Sequence, residues 1–441
     1  MPPLSRNTSS RKMSMMACLF SLVAVSGVSR AYGQAATESV AKTTTPPVPI
    51  AKPSDTSAPQ PAAVAPAATP LAPVAAADAA PATAPSFTIS APAAAAGFKF
   101  KEGAKYSISG IVDAYANYDG DSPSNGNTQL RNFDLRANTV SLTEARLTLA
   151  YDPAPFGIRA DIGFGAAMDT MHPSNPSGTG LKYVEQMFVS IKPAKWKGFQ
   201  ADFGEFVTSA GAEVAESGDN WNYSRSLLFA YAIPYYHFGI RTSMPVTSTT
   251  TVGVQVVQGW NNIFDNNSGK TLGFTGVQSK KYYTLSGNFY TGPENDNTTI
   301  GWRNLIDSTL LLTPNGKFNA YINYDYGQNR NANTKLTGLG SLDHWQGIAF
   351  AGHAQLTPRI TATGRFEYFA DLTGFTTGTT QRLNEFTVTA DYLVHPGILF
   401  RSEFRQDHSD SKYFRKSSTP FATNLQPTLE FALIGFFGPK T

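Results

Sequence analysis

Charged side chains recur at every second residue in several stretches of this chain. Arg365 and Glu367, Arg401 with Glu403 and Arg405, and Arg159 with Asp161 alternate with apolar residues such as Phe366, Phe404 and Ile162. Lys317 and Asp325 fall on the polar face of a further stretch, and Glu144, Arg146 and Arg241 join the set by the same alternation. This spacing puts acids and bases on one face of an extended strand and apolar side chains on the other. Mixed charges lining a hydrated bore discriminate among solutes by field and diameter. A second group, Glu213, Glu216, Asp219 and Arg225, falls in one stretch of loop-like composition, 208–234.

Nothing in the sequence carries an enzyme's signature. The six histidines are His172, His237, His344, His353, His395 and His408, and no HExxH, GxSxG or spaced Cys/His cluster accompanies them. The expectation is no catalytic residues, no cofactor and no metal. Asp119-Gly120-Asp121 and Asn295-Asp296-Asn297 lack the spacing of a calcium loop.

Composition narrows the class further. Of 441 residues, 15 % are charged and 12 % aromatic, against about 25 % charged in ordinary soluble domains. One Cys excludes a disulfide scaffold. The net charge of +3 comes from the four bases of residues 1–33; the rest is balanced, so a nucleic-acid partner has no electrostatic footprint. Outside the amino-terminal leader no apolar run reaches the ~18 residues of a membrane helix.

Three regions follow. Residues 1–33 read as a signal peptide: Arg6, Arg11 and Lys12, an apolar run from Met13 to Val28, then Ala31-Tyr32-Gly33 before Gln34. Residues 34–97 hold 12 of the 29 prolines, many alanines and one aromatic, Phe87. Such a segment buries too little apolar surface to fold, so it reads as a disordered Ala/Pro-rich linker able to contact the cell wall. Residues 98–441 hold 50 of the 53 aromatics and a persistent period of two.

Sixteen strands are expected, near 106–118, 138–151, 157–168, 181–192, 199–207, 235–244, 248–260, 270–278, 281–290, 303–313, 316–327, 343–356, 359–370, 384–394, 397–407 and 426–437. Most reach the ~9–11 residues of a tilted transmembrane strand. Short turns alternate with long polar loops, and aromatics gather at strand ends. That pattern predicts an all-β fold, a transmembrane antiparallel β-barrel of about 16 strands in the outer membrane of a Gram-negative-type bacterium. The charged alternates named above then line the pore, with His237 and His353 beside them as polar lumen residues.

The stretch from Gly211 to Arg241 reads GAEVAESGDNWNYSRSLLFAYAIPYYHFGIR. It resembles the signature of the OmpL-like β-barrel porin family, through Gly211, Glu213, Asn220-Trp221-Asn222-Tyr223-Ser224-Arg225, Pro234, His237, Gly239 and Arg241. The resemblance covers 98–441 and implies an outer-membrane porin for passive diffusion of small hydrophilic solutes. By analogy with general porins, loop 208–234 folds inward, and Glu213, Glu216, Asp219 and Arg225 form the pore constriction. Expected partners are outer-membrane lipid, the solutes and a possible homo-oligomer. Two rival readings stand beside this one: a plugged structural or adhesive barrel tethering the envelope through 34–97, and an outer-membrane hydrolase.

Overall fold

The computed structural model describes residues 106–173, 180–196, 198–333 and 338–438. The leader and linker expected at 1–33 and 34–97 lie outside them. The strands are β1 (Tyr106–Asp119), β2 (Thr139–Tyr151), β3 (Phe156–Phe164), β4 (Val184–Ile191), β5 (Gln200–Val207) and β6 (Tyr236–Thr247). They continue as β7 (Thr250–Val257), β8 (Thr271–Ser279), β9 (Tyr283–Pro293), β10 (Trp302–Asn315), β11 (Phe318–Asn333) and β12 (Gly338–Gln355). Last come β13 (Ile360–Asp371), β14 (Gln381–His395), β15 (Ile398–Ser409), the short β16 (Phe414–Lys416) and β17 (Thr419–Thr423), and β18 (Leu425–Phe437).

Each long strand pairs antiparallel with its neighbour, and β18 returns to β1, so the sheet closes. The closing seam runs from Gly110 opposite Phe437 to Asp119 opposite Thr428. β16 and β17 form a separate hairpin outside the barrel sheet. Connections of two to four residues such as 152–155, 248–249, 316–317 and 396–397 alternate with long ones. In bacterial barrels the short turns face the periplasm.

Side-chain placement inverts that of a soluble protein. Phe386, Val388, Phe400, Phe404, Phe431 and Leu433 are 38–55 % exposed on the outer face, while Arg365, Glu367, Arg401, Glu403 and Arg405 are 0–2 % exposed within. Lipid accepts the first set and a closed interior the second.

Where the polar composition suggested loops, pairing often continues. The expected loop 328–342 is mostly strand: β11 runs to Asn333 and β12 starts at Gly338. Polar residues suit a ladder that rises beyond the hydrocarbon, because water meets its faces there. Conversely, the third strand stops at Phe164, and Ala166–Met171 form a short helix, α1. The fourth starts only at Val184, after a 3₁₀ turn at Leu181–Tyr183. In β2 the register slips, with Asp113 opposite Glu144 but Ala114 opposite Leu142. Thr143 is the extra residue of a bulge, so Thr143 and Glu144 are both buried. At the β5–β6 pair Gly204 faces Gly239. A Cβ would lie 2.2 Å from the Met187 carbonyl oxygen at the first and 2.3 Å from that of Val256 at the second, so only glycine fits.

The aromatic girdle is partial. Tyr118, Phe156, Trp196 and Trp302 are about half exposed on the outer face, as interfacial rings should be. Tyr290, near the end of β9, is instead 2 % exposed and stacks on His237 at 4.9 Å inside the barrel.

Arginine at the centre of the lipid-facing wall should be costly. Val388→Arg is expected to lower folding stability by about 2–4 kcal/mol, measured by urea titration in lipid vesicles. Phe421→Arg, in the hairpin outside the barrel, should leave stability nearly unchanged.

Candidate functional site

The segment between β5 and β6 crosses the interior and is fastened to the wall at successive points. At its root, the Ser209 hydroxyl lies 2.8 Å from the Tyr290 hydroxyl, and Gly211 N–H donates to Asp307 Oδ1 at 3.0 Å. Glu213 then meets Arg365 of β13, which donates from Nη1 to Oε1 at 2.7 Å. The other oxygen of Glu213 accepts from Ser226 N–H at 2.6 Å, so one carboxylate ties the outgoing limb, the returning limb and the wall. Glu216 pairs with Arg146 of β2. Burial opposes ionisation of Glu216, but the Arg146 charge and hydrogen bond outweigh it and hold the carboxyl below the usual range.

The Asn-Trp-Asn-Tyr-Ser-Arg run then makes contacts residue by residue. Asn220 bridges back to the Val214 backbone at 2.8 and 3.0 Å. Trp221 stacks on His353 at 5.1 Å, and Asn222 donates to Thr389 at 2.7 Å. Tyr223 and Ser224 present their N–H groups to Glu403 at 2.6 and 2.9 Å. The Tyr223 hydroxyl reaches Asp113 of β1 at 3.1 Å. Arg225 donates to the carbonyls of Tyr223 and Ala215, and its guanidinium lies 4.6 Å from the Phe133 ring centre. Beyond it, Glu367 accepts from Leu227 and Leu228 N–H at 3.1 and 3.2 Å. Leu228, Phe229 and Ile233, the first two in a π-helical turn at Leu228–Ala232, join a buried cluster with Leu305, Trp345 and Phe369.

The wall supplies the complementary charges. Arg365 lies among Glu213, Glu367 and Glu385, the last two at 3.2 Å. Arg146 faces Glu185 at 2.6 Å and Glu144 at 3.6 Å as well as Glu216. Arg401 pairs with Asp391 at 2.7 Å and donates to the carbonyls of Ser217, Asn220 and Asn222 at 2.8–3.0 Å. Arg405 pairs with Asp407 at 2.7 Å and donates to the Arg225 carbonyl at 2.7 Å.

The expected constriction set therefore changes character. Loop 208–234 lies inside, but Glu213, Glu216 and Arg225 are buried fasteners rather than free charges facing a bore. Asp219 sits in a 3₁₀ turn, Ser217–Asp219, beside a small cavity of about 70 Å³ that Arg146, Arg159 and Thr148 also line. Of the expected lining residues, Arg159 pairs with Asp161 at 2.9 Å. Arg241 pairs with Asp202 at 2.8 Å and covers Phe206 at 4.6 Å. Asp325 faces Asp307 across β10 and β11. Lys317 does not line the interior: it is exposed in the 316–317 turn, because the strand begins one residue later. Glu185, Glu385, Asp391 and Asp407 are buried in the wall without being among the expected lining residues. The last three continue the same alternation, whereas Glu185 lies in a segment whose period is poor.

A closed membrane-spanning barrel whose interior is crossed by its own loop defines an outer-membrane β-barrel of the porin class. The chain belongs to the family described as "beta-barrel porin-2, OmpL-like", which matches residues 105–437. Among solved structures it resembles the outer membrane channel DcaP of Acinetobacter baumannii, with 13 % identity, TM-score 0.50, and 78 % of this chain and 99 % of that one covered. OmpT of Vibrio cholerae gives 11 %, 0.50, 77 % and 100 % in the same measures. An anion-selective porin from Comamonas acidovorans gives 10 %, 0.50, 75 % and 99 %. At such identities the likeness is one of fold. No curated protein matches significantly.

Removing Arg365 would leave Glu213, Glu367 and Glu385 without the guanidinium between them. Arg365→Met is expected to cost about 3–5 kcal/mol, read from thermal melting in detergent. Loss of the half-exposed Arg382–Asp410 pair by Arg382→Ala should cost under about 1 kcal/mol.

Proposed function

We propose that this porin is a narrow diffusion channel for small hydrophilic solutes, with loop 208–234 setting its bore. The observation that carries the reading is the pair of fastenings Glu213–Arg365 and Glu216–Arg146. They join one loop to β13 and to β2, which are separated around the barrel by β14, β15, β18 and β1. A loop held at both walls leaves a restricted route. Its polar remainder, with Arg146, Arg159 and Asp219 beside a small cavity, suits water and small polar molecules rather than apolar ones.

Because both loop glutamates are neutralised in pairs, selectivity falls to the few groups still near open space. In this reading Arg159, whose side chain is 22 % exposed, is one of them. The contacts of His237 and His353 support a polar structural role for both. His237 Nδ1 lies 3.0 Å from the Gly259 carbonyl, and His353 Nδ1 lies 2.9 Å from the Thr363 hydroxyl. Export by the 1–33 leader, a role for 34–97 at the cell wall and assembly into a homo-oligomer belong to the same proposal.

The tight packing of loop against wall also favours the plugged-barrel reading, and conductance separates the two. Purified protein in planar bilayers should give small stepwise channels, and deletion of residues 214–228 should enlarge the step several-fold. Glu216→Gln should shift permeability toward anions by leaving Arg146 less compensated. Absence of any steps from the intact chain, with large steps from the deletion, would establish the plug and overturn the diffusion reading.

A further inference from the structure

The interior wall at β10 and β11 carries two facing acids, one of which also anchors the root of the inward loop. Asp307 and Asp325 face each other in register across these strands. Both side chains are buried, at 1 % and 0 % exposure, on the inward face of adjacent strands. Every donor to Asp307 is neutral: Asn288 at 2.7 Å, Asn323 at 3.0 Å and Gly211 N–H at 3.0 Å. Among the described residues Asp325 has no hydrogen-bond donor at either oxygen, and it is 0 % exposed. The strongest charges acting on it, Asp307 and Glu367, are both negative. The guanidinium of Arg365 is paired with three other carboxylates, Glu213, Glu367 and Glu385.

Two buried carboxylates side by side need something positive near them, either a proton or a cation. A shared proton satisfies one contact and leaves the second oxygen of Asp325 without a partner. A separate observation favours the cation. Thr309, two residues along the same face of β10, is 0 % exposed, and its hydroxyl has no hydrogen-bond partner. Ser286, registered beside it on β9, is 2 % exposed with its hydroxyl likewise unpartnered. Carboxylate, hydroxyl and amide oxygens on neighbouring strands are the donor set of a hard cation.

We propose that Asp325 and Asp307, with the Thr309 hydroxyl, form a buried divalent-cation site, with Ca²⁺ preferred over Mg²⁺. The preference follows from irregular protein oxygen donors, which Ca²⁺ tolerates and Mg²⁺ does not. Since Asp307 also accepts the Gly211 N–H, a bound ion secures the root of loop 208–234. Tyr321 lies four residues before Asp325 and its ring centre is 5.3 Å from that of Trp221, so excited aromatics lie close to the site.

The test uses the full folded chain in detergent, stripped with EDTA. Tb³⁺ should give saturable aromatic-sensitised emission that Ca²⁺ displaces, and Ca²⁺ should raise the melting temperature over EDTA. Asp325→Asn should weaken Tb³⁺ binding at least tenfold and abolish the Ca²⁺-dependent rise; Thr309→Val, which keeps both carboxylates, should weaken it less. Emission that does not saturate, or that is equal in wild type and Asp325→Asn, would overturn the site. So would a wild-type melting temperature indifferent to Ca²⁺ and EDTA. Both readouts are independent of conductance, so failure here leaves the channel reading to its own test.

Discussion

Hydrocarbon offers no hydrogen-bond partner to a peptide group, and every other feature of this barrel depends on that fact. A sheet with free edges would leave rows of N–H and C=O groups unpaired in lipid. The chain meets the constraint by bringing β18 back to β1, its first strand. Closure turns alternation into a division of labour. One set of side chains meets acyl tails, and the other is confined to an interior where charges must find partners among themselves.

That interior would be costly for isolated charges, since a buried ion without a partner loses its hydration uncompensated. The solution here is dense pairing between loop and wall. Arg146, Arg365, Arg401 and Arg405 each take a carboxylate, and Glu403 and Glu367 each take two backbone N–H groups of the inward loop. Loop carbonyls turned inward find guanidinium donors. The Asn-Trp-Asn-Tyr-Ser-Arg run is dense in contacts because a loop in this position has no bulk water to satisfy its backbone.

The period of two made the strands legible, and with them the inward placement of Arg159, Asp161, Arg365, Glu367, Arg401, Glu403 and Arg405. It could not reveal where pairing persists above the membrane, since the Asn- and Gly-rich ends of β11 and β12 have the composition of a loop. A bulge such as that at Thr143 breaks the alternation locally and is invisible to it. The loop itself was legible by length and motif. Its chemistry was not, because the partner of Glu213 lies 152 residues away and that of Tyr223 N–H 180 residues away. Spacing along a chain carries no information about contacts made across a cylinder. Lys317 shows the opposite failure: it fits the period and still falls in a turn, where the period no longer decides direction.

The position of the inward loop relative to the closing seam has a mechanical meaning. β18 is flanked by β1 on one side and β15 on the other. The loop grips Asp113 and Thr143 on the near side through Tyr223, and Arg401 and Glu403 on the far side through Asn220 to Ser224. It acts as a buckle fitted from within across the one joint that unites the two ends of the hoop. Prising that joint apart sideways would have to break buried charged bonds as well as a ladder of backbone hydrogen bonds, so the cylinder resists unrolling where a hoop is ordinarily weakest.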